Sequence, residues 1–223
     1  MTDEQKNSGL SVSQPVSARE AKMLVDDLFQ VKPLIYWVDL LASASLAYGG
    51  IAIYLEATNF SPLQLTAFVI AGIALFRIAT FMHEIVHLRR GQMRTFKLVW
   101  NLIAGIPLLT PSLFYTTHGD HHSNRHYGTP TDGEYLPFGA TAPAEIIRFM
   151  AAIPLIPLLA VVRALVLVPI SLAVPALRRW LLMRGSAAVI SPTYHRRQVP
   201  RIWDPLWLMS DFVCFAYAGS ITL

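Results

Sequence analysis

The sequence predicts an all-α protein: multi-pass membrane helices topped by a cytosolic helical cap that carries clustered histidines. Composition, the placement of charge and the placement of histidine all lead there. The chain has 223 residues, 54% hydrophobic and 14% charged, too apolar for a soluble domain of this size, so its continuous apolar runs read as membrane segments. The formal net charge of +4 does not point to nucleic acid. Lys and Arg stand beside apolar runs rather than along one aromatic-laced face, the pattern of membrane orientation. Cys214 is the single cysteine, which excludes an intrachain disulfide and a cysteine-built zinc cluster.

Residues 1–33 are polar and lack the apolar core of a signal peptide, so they predict a cytosolic tail with an interfacial helix near its end. Residues 34–82 predict a transmembrane hairpin. Leu34 to Leu55 is broken only by Asp39, and Pro62 to Met82 only by Arg77; about 20 apolar residues suffice to cross the hydrocarbon. Ser61-Pro62 supplies a cap and a first-turn proline, and the "EATNFS" link allows only a tight, antiparallel return. No Lys or Arg falls between Lys32 and Arg77, whereas Arg89, Arg90, Arg94 and Lys97 follow the second span, which puts the end of that span in the cytosol. Asp39 and Arg77 then lie at matching depth and can pair.

Residues 83–135 predict a cytosolic metal-binding region. Within it 98–113 is apolar but short and broken by Gly105, Pro107 and Pro111, which suits an in-plane or re-entrant element. Residues 136–202 predict interfacial or re-entrant helices, because Arg163 and prolines at 154, 157, 169 and 175 interrupt the apolar run. Residues 203–223 predict the start of a third span, and the sequence stops inside it. Trp100, Trp180, Trp203 and Tyr127 read as interfacial aromatics without chemistry.

Six of the seven histidines fall in two short segments. "FMHEIVHLRR" contains His83, Glu84 and His87, the H-E-x-x-H spacing that on a helix binds one zinc and keeps Glu as a base. "THGDHHSNRHYG" contains His118, His121, His122 and His126; on a helix capped by Thr117 and ended by Gly128 and Pro130 these fall within an arc of roughly 140°. A catalytic zinc takes about three protein ligands, so six histidines suit two metals, and imidazole also suits iron. A pair of irons can use O2 to break an unactivated C–H bond, which no side-chain acid or base can do. Asp120, Asp132 and Glu134 are candidates to hold the outer N–H of metal-bound imidazoles. His195 stands alone and reads as a wet residue.

These segments resemble the integral-membrane fatty acid desaturases. His83-x-x-x-His87 is similar to their first histidine box and His118-x-x-His121-His122 to the second. Hairpin, box, short apolar stretch and second box follow the family's order, and "YGTPTDGEYLPF" is similar to bacterial members. The resemblance runs from about Leu34 to the end of the chain. It implies two iron ions held by His83, His87, His118, His121 and His122; His126 joins them as a candidate ligand from its place in the second segment alone. It also implies O2 as co-substrate, a lipid acyl chain as substrate, and a separate electron donor such as a ferredoxin or cytochrome b5. Glu84 then occupies a variable position and is no base. Nothing after His122 matches the family's third box, which predicts a truncated sequence with an incomplete site. A membrane hydroxylase or carotenoid ketolase would share the boxes. An intramembrane zinc protease would use His83 and His87 with Glu84 as base and Asp132 as a further ligand. A non-catalytic scaffold is the third alternative.

Overall fold

The computed structural model describes residues 17–25, 30–136, 138–191 and 194–222. The expected tail therefore lies largely outside the described residues. The chain divides into two compact units, residues 1–36 and 37–223. In the first, α1 (Ala18–Leu24) forms where the interfacial helix is expected. Ser17 starts it with a capping box: its hydroxyl accepts from Glu20 N at 3.2 Å, and its own N–H donates to the Glu20 carboxylate at 2.9 Å, satisfying two otherwise orphaned donors.

The described residues are helical, with no strand among them. α2 (Pro33–Glu56) and α3 (Pro62–His87) form the hairpin, of 24 and 26 residues. Both are long and apolar enough to cross a membrane. Ser61 caps α3 through Gln64 N at 3.2 Å, and Pro62 takes the first turn, where its missing N–H is no loss. The two helices meet along small residues, Ser43, Ala47 and Gly50 against Ala67, Ala71 and Ala74. A Cβ on Gly50 would sit 3.1 Å from the Ala71 Cβ and 3.2 Å from the Ala67 carbonyl. In lipid such backbone proximity, not expulsion of water, holds helices together. Phe68, Ile73 and Phe76 point outward and are exposed, as side chains facing hydrocarbon must. Asp39 and Arg77 do pair: Arg77 grips both carboxylate oxygens, Nε at 3.3 Å, while Ser43 donates to Oδ1 at 3.1 Å.

α4 (Arg94–Trp100) continues through a wide turn, Asn101–Gly105, and doubles back to a tight turn at Ser112–Tyr115. The element folds back on itself. Asn101 fastens its limbs, donating to Ser112 Oγ and accepting from Ser112 N, both at 2.9 Å. Gly105 leaves no room for a side chain: a Cβ would meet Asn101 Oδ1 at 2.9 Å and Pro111 Cα at 3.2 Å. Trp100 departs from the interfacial reading. It is 1% exposed and donates to the Ile78 carbonyl at 2.9 Å, so its indole serves the core behind α3.

The apolar stretch after residue 136 also differs from expectation. α6 (Pro143–Ala152), α7 (Ile156–Val162) and α8 (Val168–Ala173) join through a tight turn at Ile153–Leu155 and a wide one at Arg163–Leu167. The result, Pro143–Ala173, is a 31-residue rod long and apolar enough to cross. Pro154, Pro157 and Pro169 each occupy the first turn of a segment. Inside a continuous rod each proline removes one backbone donor, and the tight and wide turns between the segments accommodate the loss, so the prolines punctuate the rod without ending it.

α9 (Pro175–Met183) and α10 (Pro205–Thr222) pack beside that rod around a buried ion network. Asp211, 2% exposed, accepts from Arg163 Nη2 at 2.7 Å through one oxygen and from Arg178 Nη1 through the other. Arg163 also donates to the Gly185 carbonyl at 2.6 Å and Ser186 Oγ at 2.7 Å, and Arg178 to the Ile202 carbonyl at 3.0 Å. From sequence, Arg163 reads as an interruption of the apolar run and Arg178 as a basic flank that keeps its end cytosolic. Instead they are 7% and 0% exposed, because one carboxylate serves both.

Candidate metal centre

His83 and His87 share the last turn of α3, four residues apart and therefore on one face. The second segment departs from the expected helix. Only His118–His121 forms α5, and Thr117 makes no side-chain cap. The chain then closes into turns, with His126 N and Tyr127 N both donating to the Ser123 carbonyl, at 2.8 and 2.9 Å. Ser123 and Asn124 are weak helix formers whose side chains compete with the helix ladder. The four histidines therefore do not share one face.

His118 and His122 turn toward α3 and meet His83 and His87. One ring nitrogen from each of the four lies within 4.8 Å of the others. His118 Nε2 is 3.1 Å from His87 Nε2 and 2.8 Å from His122 Nε2. His83 closes the group, its ring centroid 4.6 Å from those of both His87 and His118. Imidazole nitrogens bind a divalent ion at about 2.1 Å, so two ligands at a right angle would stand about 3.0 Å apart. The observed spacings fit a shared ion. The chemistry of the donors agrees, since converging lone pairs repel unless a proton or a cation lies between them.

The surrounding shell fixes the rings. The Glu134 carboxylate accepts a hydrogen bond from Nδ1–H of buried His118, leaving the Nε2 lone pair directed at the cluster. Burial pushes the His118 pKa down, and Glu134 opposes it without overcoming it, so the ring is neutral and able to ligate at neutral pH. Tyr115, which sequence reading missed, stacks on His118 at 4.6 Å and 15° and donates to Glu134 Oε2 at 3.2 Å. Burial, with help from Glu134, raises the phenol pKa and keeps it protonated. Its position three residues before the box was the available signal, but an aromatic there has a dozen ordinary explanations.

His121 takes another direction. Its Nδ1 bonds Asp132, at 3.0 Å to one oxygen and 3.2 Å to the other. Asp132 is 1% exposed and also accepts from Gly128 N at 3.0 Å and Glu134 N at 2.9 Å. Burial alone would raise its pKa, but these bonds outweigh it and the carboxyl stays below its usual range. Asp132 thus orients His121 rather than joining His83 and His87, which removes the third ligand from the protease reading. His126 lies outside the four-histidine group, with Thr131 Oγ1 3.1 Å from its Nδ1 and the Arg197 guanidinium against its ring. Asp120 faces Tyr194, whose hydroxyl donates to it at 3.3 Å, and holds no imidazole. Glu84 stays at 3.8 Å from His83 Nδ1. His195 is exposed.

Comparison with known proteins fits this centre. Residues 60–221 match the model of the family described as fatty acid desaturase. The chain is 35% identical over 204 residues to a protein named ceramide hydroxylase from Caulobacter vibrioides (strain NA1000 / CB15N), an alignment covering 91% of this chain. The chain spans 58% of the length of that relative. No solved structure matches it. With the family match extending over most of its length and across both histidine segments, the chain belongs to the fatty acid desaturase family.

Proposed function

We propose that the chain forms the hairpin and the first two histidine segments of an O2-dependent, two-iron membrane oxidoreductase acting on the hydrocarbon chain of a lipid. The observation that carries this reading is the four-imidazole cluster at the end of a helix long and apolar enough to span the membrane. His83, His87, His118 and His122 would hold one iron, and His121, fixed by Asp132, would serve a second. Iron in such a site supplies the O2 chemistry that attacks an unactivated C–H bond.

The chain's own residues do the rest. Glu134 and Asp132 keep the outer protons of His118 and His121, so both rings present unprotonated Nε2 atoms. Tyr115 covers one face of His118 and excludes water from it. Beside α3, a cleft of about 460 Å³ lined by Phe76, Arg77, Ala79, Thr80, Met82 and Glu84 reaches His83. An acyl chain lying in it would bring a methylene to the cluster without leaving hydrocarbon. The basic residues that follow α3 support a cytosolic position for the cluster, where a ferredoxin or cytochrome b5 would deliver electrons.

Hydroxylation is the first reading for the product, because the relative aligned over nearly the whole chain is named for it. Desaturation is the second, favoured by the family's description. Expressing the protein with a reductase system and analysing host lipids by mass spectrometry separates them. Hydroxylation adds one oxygen atom; desaturation removes two hydrogens. Either product should disappear in His122→Ala. Absence of both products from correctly inserted, iron-loaded protein would overturn the proposal.

A further inference from the structure

Behind the second histidine segment lies a cavity of about 490 Å³ that the metal chemistry does not use. Thr116, Thr117, Asp120, Ser123 and His126 line one wall, and Arg196, Arg197 and Gln198 the other, with the Arg197 guanidinium against the His126 ring. Arg196 is 6% exposed. Its backbone N–H donates to the Met183 carbonyl at 2.7 Å, Nη1 donates to Thr116 Oγ1 at 2.9 Å and Nη2 to the Ser186 carbonyl at 2.7 Å. The guanidinium lies 5.0 Å over the Trp207 ring. Among the described residues Nε has no acceptor, and the ion pairs include none to Arg196.

This contrasts with Arg163 and Arg178, whose buried charges share Asp211. A buried cation bonded only to neutral oxygens carries a large desolvation penalty unless a counter-charge arrives. Arg197 brings a second guanidinium to the same cavity, and the single carboxylate present, Asp120, is engaged by Tyr194. We propose that this cavity is a binding site for a phosphate group. Two guanidiniums, the Thr117 and Ser123 hydroxyls and the Gln198 amide offer more donors than a carboxylate can accept, Thr116 being committed to the Leu113 carbonyl at 2.9 Å, and guanidinium forks match phosphate oxygens. The phosphate belongs either to a lipid head group or to a free phosphate ion. Once bound, it ties the turn that carries the second histidine segment to the strap 194–200.

The test uses the full chain, purified in detergent and stripped of metal with a chelator, so that it does not depend on the redox proposal. Inorganic phosphate and dihexanoyl phosphatidic acid are titrated separately at constant ionic strength, and binding is read by phosphorus NMR and by the thermal midpoint. Saturable binding of either is expected. Saturation by inorganic phosphate identifies free phosphate as sufficient, and saturation by the lipid alone identifies a head group. Arg197 is exposed, so Arg197→Gln should keep the helical circular-dichroism spectrum and weaken binding at least ten-fold. Asp120→Asn, which removes the opposing charge, should tighten it. No saturable binding by either ligand, or affinities indifferent to both substitutions, would overturn the site.

Discussion

Asp211→Asn should unfold the packing behind the metal centre more than any comparable single-atom change. The side chain is 2% exposed and is the carboxylate partner of both Arg163 and Arg178. Asparagine keeps its shape but leaves two buried guanidiniums without counter-charge. Breaking a buried ion pair from one side costs about 3–5 kcal/mol. Here Arg163 keeps Gly185 and Ser186 and Arg178 keeps Ile202, so the lower end, about 3 kcal/mol, applies. For a chain of this size each kcal/mol moves the midpoint by about 2–4 °C, which gives a fall of roughly 6–12 °C. Thermal unfolding in detergent, followed by circular dichroism, measures it. The counter-experiment replaces the whole network by Asp211→Leu, Arg163→Met and Arg178→Met together, and should recover most of the loss, because removing all charges leaves nothing unpaired. A single-variant loss below about 1 kcal/mol, or a triple variant less stable than Asp211→Asn, would refute the reasoning.

Other expectations follow from the same geometry. His118→Ala or His122→Ala should lower iron content by at least ten-fold on elemental analysis, whereas Glu84→Gln should leave metal and activity nearly unchanged. Asp39→Ala and Arg77→Ala should each lower stability by about 1–3 kcal/mol, and the double variant should lose less than the sum, as a double-mutant cycle would show. Metal retention should be pH-dependent. Because the folded-state pKa of His118 lies below its ordinary value of about 6.5, protons should compete with the metal for this ring only as pH falls below that value. Metal affinity that weakens on acidification to the same degree in the native protein and in His118→Ala would show that His118 does not ligate.

Much of this was legible in the sequence because it rested on short-range rules. Ser61-Pro62 marks a helix start, residues four apart on α3 share a face, and Asp39 and Arg77 sit at matching depth on antiparallel helices. The site was legible in part. The pairing of the two histidine segments and the approach of Glu134 to His118 could be anticipated; the split of the second segment could not, because it depends on where a weak helix stops. Asp132 turns His121 one way only once Gly128 N and Glu134 N have folded onto it. Arg163 and Arg178 misled for a related reason. A charge in an apolar run looks interfacial until its counter-charge is found, and Asp211 lies 48 residues beyond Arg163.

The close seam between α2 and α3 has a consequence for the order of assembly. Gly50 against Ala67 and Ala71 requires nothing from residues beyond α3, and in a bilayer such a hairpin can insert and close while the rest of the chain is still being made. His83 and His87 would then be in place before His118 and His122 leave the ribosome. The centre would grow around a half already set, and a bulky residue at position 50 would delay maturation of iron binding before it altered the finished site.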